Sequence, residues 1–298
     1  MMDWIGSVQG TEAGHDVALW LALAAAFLHA LFGGLQKGAT YDPWTSRTVM
    51  DVMIFLIATP VALFLVPWPP AELWWVLAGL VVIQFTYKAL QGATYARGAY
   101  TVVYPVVRGT GPLFTVLGAG AIFGEVFTPV QWGGVALLIA GLFGLSAYNM
   151  AKITVDRATL VPALGLAVLT GLMVAVYTTW NAWGIRAMEN PFTFLAWFFM
   201  LTSWDFPTIA AVRGKWRRPE PALVRLAVIG AFVAFGSFGS IMMATRLDSV
   251  GQAAILRETS TVFAALIGWL LLKEAVGVRR LLLMSLIALG AVVVEFGG

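Results

Sequence analysis

The 298-residue chain contains no cysteine and only two histidines, and just 11% of its residues are charged. The missing cysteine removes disulfides, thiolate metal sites and thiol nucleophiles. The scarcity of charge, against roughly 25% in a soluble domain, means that water is not the solvent around most of the chain. Neither H-E-x-x-H nor G-x-S-x-G occurs, so no zinc-protease or serine-hydrolase constellation is present, and nothing in the sequence asks for a metal or cofactor. Residues 1–16 carry Asp3, Glu12 and Asp16 but no Lys or Arg, so they lack the basic start of a signal peptide and read as a short polar tail.

What remains is apolar: 60% of residues are hydrophobic and the mean hydropathy is +0.86. Apolar windows bounded by charge, proline or glycine fall at 17–37, 48–66, 72–91, 99–123 and 128–148, then at 160–184, 192–212, 222–244, 250–272 and 279–296. Each is close to the about 20 residues that span a bilayer as a helix. Their Ala and Leu content, without period-two alternation, excludes barrel strands. The expected fold is therefore an all-α membrane protein of ten transmembrane helices: a first five-helix repeat over 17–148, a linker at 149–159 and a second repeat over 160–298.

The repeat is visible at an offset of 149 positions. Arg97, Arg108 and Glu125 align with Arg246, Arg257 and Glu274, and Thr110/Thr259, Phe114/Phe263 and Gly141/Gly290 coincide. Charges are rare inside lipid-spanning segments, so three that keep their spacing carry most of the signal. An odd number of helices per repeat makes the second copy enter from the opposite side, the inverted arrangement of secondary transporters.

Loop charge sets the orientation. Odd-numbered loops hold 13 Lys and Arg, including the Arg213, Lys215, Arg217 and Arg218 cluster, whereas even-numbered loops hold only Arg186 and Arg246. Basic residues near helix ends are retained in the cytoplasm, so both termini are expected outside it, in a multi-pass protein of the cell inner membrane. The net charge of +3 is no nucleic-acid signature; the expected partners are the bilayer and a small-molecule substrate, with the chain acting as a monomer.

Arg108 and Arg257 each lie 11 residues beyond the basic residue closing the preceding helix. That is roughly 16 Å of depth, half of a ~30 Å hydrocarbon core. In inverted repeats the two should meet near the midplane, where an arginine costs at least about 2.5 kcal/mol unless water, an acid or an anionic ligand compensates. Each is read either as a substrate contact or as one partner of a structural ion pair. Polar stripes at helical spacing join them: Gln84, Tyr87, Lys88 and Gln91; Tyr100, Tyr104 and Arg108; Tyr177, Trp180, Asn181 and Gly184; and His29, Gly33, Gln36 and Lys37. Polar stripes in lipid must face one another or water.

The candidate substrate-binding set is thus Arg108, Arg257, Tyr87, Tyr104, Tyr177, Trp180, Gln84, Asn181 and His29, with Glu258 the candidate for proton coupling. His29 reads equally as a helix-packing residue. Lys88, about four residues from the cytoplasmic end, reads as a snorkelling lysine, and Asp205 as an inner-boundary group. Trp4, Trp20, Trp44, Trp68, Trp74, Trp75, Trp132 and Trp216 sit near helix ends and read as interfacial belts. Pro60, Pro105, Pro112 and Pro207 are candidates for helix kinks.

The segments MMATRLDSVGQAAILRETSTVFAALIGWLLLKE and YARGAYTVVYPVVRGTGPLFTVLGAGAIFGE resemble the paired motif of the EamA family, in the drug/metabolite transporter superfamily. Arg97, Pro112 and Glu125 match it in the first half; Arg246 and Glu274 match in the second, where Thr261 replaces the usual proline. The resemblance implies export or exchange of small organic solutes between the halves, with aromatic amino-acid exporters most similar. Many relatives keep cytoplasmic termini, against which the loop charge here argues.

Function follows from these residues as an expectation. An arginine-centred site with aromatic walls suits a carboxylate attached to a ring, hence export of aromatic or other apolar amino acids by alternating access, without ATP. Export of lipophilic cations is the alternative; it would want a cavity carboxylate, for which Glu258 is the main candidate. A passive channel is the rival outside the carriers, and a membrane-embedded enzyme is disfavoured by the missing catalytic motifs.

Overall fold

The computed structural model describes residues 2–37, 41–98, 100–151, 157–214, 218–270 and 277–298. Among them the chain is helical, with no strand. A short helix α1 (Met2–Val8) precedes the spans: α2 (Glu12–Lys37), α3 (Pro43–Pro60) continued by a π turn at Val61–Leu65, α4 (Trp74–Arg97), α5 (Tyr100–Phe123), α6 (Pro129–Met150), α7 (Arg157–Ala187), α8 (Pro191–Thr202) with α9 (Asp205–Val212), α10 (Pro221–Leu247), α11 (Val250–Arg257) with α12 (Ser260–Leu270), and α13 (Val278–Phe296). Among the described residues nine segments are long and apolar enough to cross a bilayer. The tenth, α13, carries Arg279, Arg280 and Glu295 at its ends and packs along α6.

Helix starts follow local chemistry. Asp42, Thr128 and Asn190 cap α3, α6 and α8 by accepting from Thr45 N, Gln131 N and Phe192 N, and each precedes a proline that enters the first turn without losing a hydrogen bond. The cap at Asp42 starts the second span at Pro43, five residues before the window expected at 48. The segment expected to be a polar tail is instead helical over Met2–Val8, with Ile5 and Val8 buried in the same apolar cluster as Leu247 and Leu256. Gly10, at φ 71°, turns the chain there, and its N–H donates to Leu247 O.

Of the four prolines expected to kink helices, Pro60 stands where the second span passes from α3 into its π turn, and Pro207 lies in the first turn after the break between α8 and α9. The other two leave their helix unbroken: Pro105 and Pro112 lie inside an uninterrupted α5. Its repeat mate, with Thr261 in place of a proline, is the one that breaks, at Glu258 and Thr259 between α11 and α12. The N–H groups of both residues bond to carbonyls three residues back, which tightens the last turn of α11.

Packing repeats with the sequence. The first and eighth spans pack together as do the sixth and third; the first and ninth pair as do the sixth and fourth; and the second and eighth touch as do the seventh and third. The fifth spans, α6 and α13, pair with each other. A Cβ added at Gly141 would lie 2.8 Å from Leu283 O and 2.7 Å from the Ile287 side chain. One added at Gly290 would lie 2.6 Å from Gly134 O and 2.8 Å from Leu138 Cβ. Shifting the first set by 149 gives the second, so the two contacts exchange across a two-fold axis. The helices run antiparallel, as inversion requires. Both termini lie at the even-loop end, Gly10 on Leu247 and Gly297 O accepting from Thr128 Oγ1.

Candidate functional site

The two arginines meet. Arg108 lies eight residues into α5, about 12 Å along the helix. Its Nη2 donates to Ser260 Oγ at 2.5 Å and to Arg257 O at 3.4 Å, and its Nε stands 2.8 Å from Glu258 Oε2. Glu258 is 4% exposed, so this is a buried ion pair joining the two repeats. Arg108 also stands 5.9 Å from the centre of the Tyr104 ring. The neighbour of Glu258 in sequence, Arg257, is therefore not its partner.

Arg257 closes α11 and is 7% exposed, yet its Nε has no hydrogen-bond partner. Its guanidinium lies 4.8 Å from the centre of the Phe238 ring. A cation at a helix C-terminus and over an aromatic face is partly stabilised, but a buried guanidinium without an acid retains most of its desolvation cost. Two guanidiniums stand near one carboxylate, and its ion-pair contact is with Arg108. The centre holds one positive charge that no acid among the described residues neutralises.

Tyr87 and Tyr177 touch, ring centres 4.8 Å apart, and Gln91 Nε2 donates to Tyr87 Oη at 2.7 Å. Both tyrosines, Tyr95, Tyr104 and His29 lie within electrostatic range of the arginines. His29 is half-buried. Gln84 and Asn181 are 6% and 4% exposed, and neither Gln84 Nε2 nor Asn181 Oδ1 has a partner. Trp180 stands apart from this set: its indole N–H donates to Val76 O at 3.0 Å and its ring covers Gly79, which makes it a packing residue between α4 and α7. The side chains of Gln36, Lys37 and Tyr100 lie outside the described residues, as do Glu274, Lys215, Trp216 and Arg217.

Lys88 does not snorkel. Its ammonium donates to Thr202 O at 2.6 Å and Asp205 Oδ2 at 2.8 Å, and stands 3.7 Å from Asp51. Arg47 Nε lies 3.1 Å from the other side of Asp51. Four charges thus tie the second, third and seventh spans at the odd-loop end, with Phe206 beneath both cations. Asp51, 1% exposed, was missed by the sequence reading because its window looked apolar. Its i,i+4 spacing from Arg47 is the signal that would have found it.

The even-loop end is closed differently. Glu125 accepts from Ser249 Oγ at 2.7 Å, Val250 N at 2.7 Å and Gly251 N at 2.9 Å, a carboxylate on the positive end of α11. Arg246 donates to the carbonyls of Ile185, Met188 and Glu189 at the end of α7. Its repeat mate Arg97 is exposed and, among the described residues, donates to Ala93 O, 3.3 Å away. His15 bridges Asp248 at 2.5 Å and Glu295 at 3.3 Å.

The fold and its centre define a multi-pass helical membrane protein with a charged, tyrosine-flanked junction between two inverted halves. Residues 161–296 match the EamA-like transporter family, which accords with the motif resemblance noted in the sequence. This match in the second half and the apolar spans of both halves support a membrane transporter. A solved structure, titled only as the crystal structure of a protein, superposes with a TM-score of 0.74 over 94% of this chain and 99% of that one at 18% identity, so the two share a fold. No curated protein matches the chain.

Proposed function

We propose that the protein exports small organic carboxylates with an apolar or aromatic body, aromatic amino acids foremost, by alternating access across the cell inner membrane. The observation that carries this reading is Arg257, a buried guanidinium at the break between α11 and α12 with an unpartnered Nε and an aromatic ring on one face. Arg108 is occupied by Glu258, Ser260 and a backbone carbonyl, so Arg257 is the cation left for a ligand. A substrate carboxylate would supply the missing charge, and the tyrosines would contact its body. A lipophilic cation would meet an uncompensated positive charge, which argues against that alternative.

The chain acts as a monomer, with its termini and the Glu125 loop outside the cytoplasm. A fluorescent reporter fused at Gly298 that lights in the cytoplasm would reverse that orientation. Arg257→Gln should weaken binding of an aromatic amino acid about tenfold to a hundredfold, the loss expected for one charge-assisted hydrogen bond. Binding of the decarboxylated amine should change little. A folded Arg257→Gln variant that keeps full affinity and full preference for the amino acid would remove Arg257 as the anchor.

A further inference from the structure

The interface between α4 and α7 has a register fixed by three antiparallel rungs. Thr94 and Thr170 hydroxyls lie 2.8 Å apart, Tyr87 and Tyr177 rings 4.8 Å apart, and Trp180 binds Val76 O and covers Gly79. Gln84 is three residues from Tyr87 and Asn181 four from Tyr177, both toward the even-loop end. These spacings keep each amide on its tyrosine's face of the helix, so the amides occupy one level between the second and third rungs. Both are more than nine-tenths buried, one with an unpartnered donor and the other with an unpartnered acceptor. Buried amides left in this condition each forfeit a hydrogen bond that water would have supplied.

Helix packing does not require them. The same interface recurs between α2 and α10, where the mates of Tyr177 and Tyr87 are Leu28 and Gly236. A Cβ added at Gly236 would sit 2.8 Å from Leu28, so these two do face each other as the tyrosines do. The mates of Asn181 and Gln84 are Phe32 and Val233. The backbone arrangement is thus satisfied by four apolar or small residues in one copy and carries four polar ones in the other.

We propose that Gln84 and Asn181 form a subsite for the far end of the substrate and take a ring hydroxyl. A hydroxyl accepts from Gln84 Nε2 and donates to Asn181 Oδ1 with one atom, and it serves equally well if either amide is turned over. This rests on the reading of Arg257 as carboxylate anchor, and it narrows the substrate to an aromatic carboxylate hydroxylated on the ring, such as tyrosine. The head lies at Arg257, the ring lies along Tyr87 and Tyr177, and the hydroxyl reaches the amides. A site built to bond a hydroxyl rejects the analogue lacking it, because the analogue leaves both amides unpaired.

The test is calorimetric binding of L-tyrosine, L-phenylalanine and tyramine to the detergent-purified full chain and to Gln84→Met and Asn181→Leu. Tyrosine should bind at least about tenfold tighter than phenylalanine. In each variant that gap should shrink to about twofold, phenylalanine affinity should hold, and Tm should stay level or rise. Equal affinity for the two rings in the parent protein, or a gap that survives in both variants, overturns the subsite while leaving Arg257 in place. A marked fall in Tm in both variants would make the amides structural ties and overturn it as well. If tyramine matches tyrosine, or neither amino acid binds, the anchor reading fails and the subsite falls with it.

Discussion

Two copies of one interface have diverged: α4 on α7 carries Tyr87, Tyr177, Gln84 and Asn181, whereas α10 on α2 carries Gly236, Leu28, Val233 and Phe32. Backbone register is shared, as the facing pairs Tyr87–Tyr177 and Gly236–Leu28 show. Side-chain chemistry is not. The architecture therefore constrains where a helix lies and leaves open what it presents to the centre. A similar divergence separates the arginines: Arg108 pairs with Glu258, but the position matching Glu258 in the first half is Gly109, and among the described residues no acid makes an ion pair with Arg257.

The largest effect should come from removing that one acid. Glu258→Gln leaves Arg108 buried without its counter-charge, which costs about 3–5 kcal/mol of stability in denaturant titrations of the purified protein. Replacing both partners, as Arg108→Met with Glu258→Leu, should recover most of it. A Glu258→Gln variant as stable as the parent would show that the pair is not the joint between halves.

The symmetric part of the comparison is probed at α6 and α13. Gly141→Ala and Gly290→Ala each drive a methyl to within 3 Å of opposing backbone, and overpacking of this kind costs about 1–3 kcal/mol. Because the two contacts exchange across the axis, the two losses in Tm should be similar. A large loss at one and none at the other would place the axis elsewhere. The smallest expected effect is Tyr87→Phe, which keeps the ring on Tyr177 and removes only the bond from Gln91. About 0.5–1.5 kcal/mol should be lost, measured in the same titration.

Much of this was legible in the sequence, because lipid enforces simple rules: ten apolar windows, an offset of 149 and two arginines at equal depth lead to the ten helices and the meeting of Arg108 with Arg257. Partner choice was not legible. Whether Glu258 serves Arg257 or Arg108 depends on the break between α11 and α12, and no proline marks that break. Lys88 read as a snorkelling side chain because depth is counted along its own helix, whereas Asp51 and Asp205 arrive from two others. Trp180 shared a stripe with Asn181, but its indole is taken up by Val76 O and Gly79 on α4, which sequence spacing alone does not show.

The exchange of Gly141–Leu283–Ile287 for Gly290–Gly134–Leu138 has a consequence for heredity. In a symmetric pair of identical half-length chains, every substitution is written twice, once on each side of the axis, and a new carboxylate facing one arginine would appear facing the other too. Joining the copies into one polypeptide lets each position mutate once. A glutamate can then be acquired opposite Arg108 alone, leaving Arg257 its positive charge, which no duplicated gene product assembled from equal halves could keep.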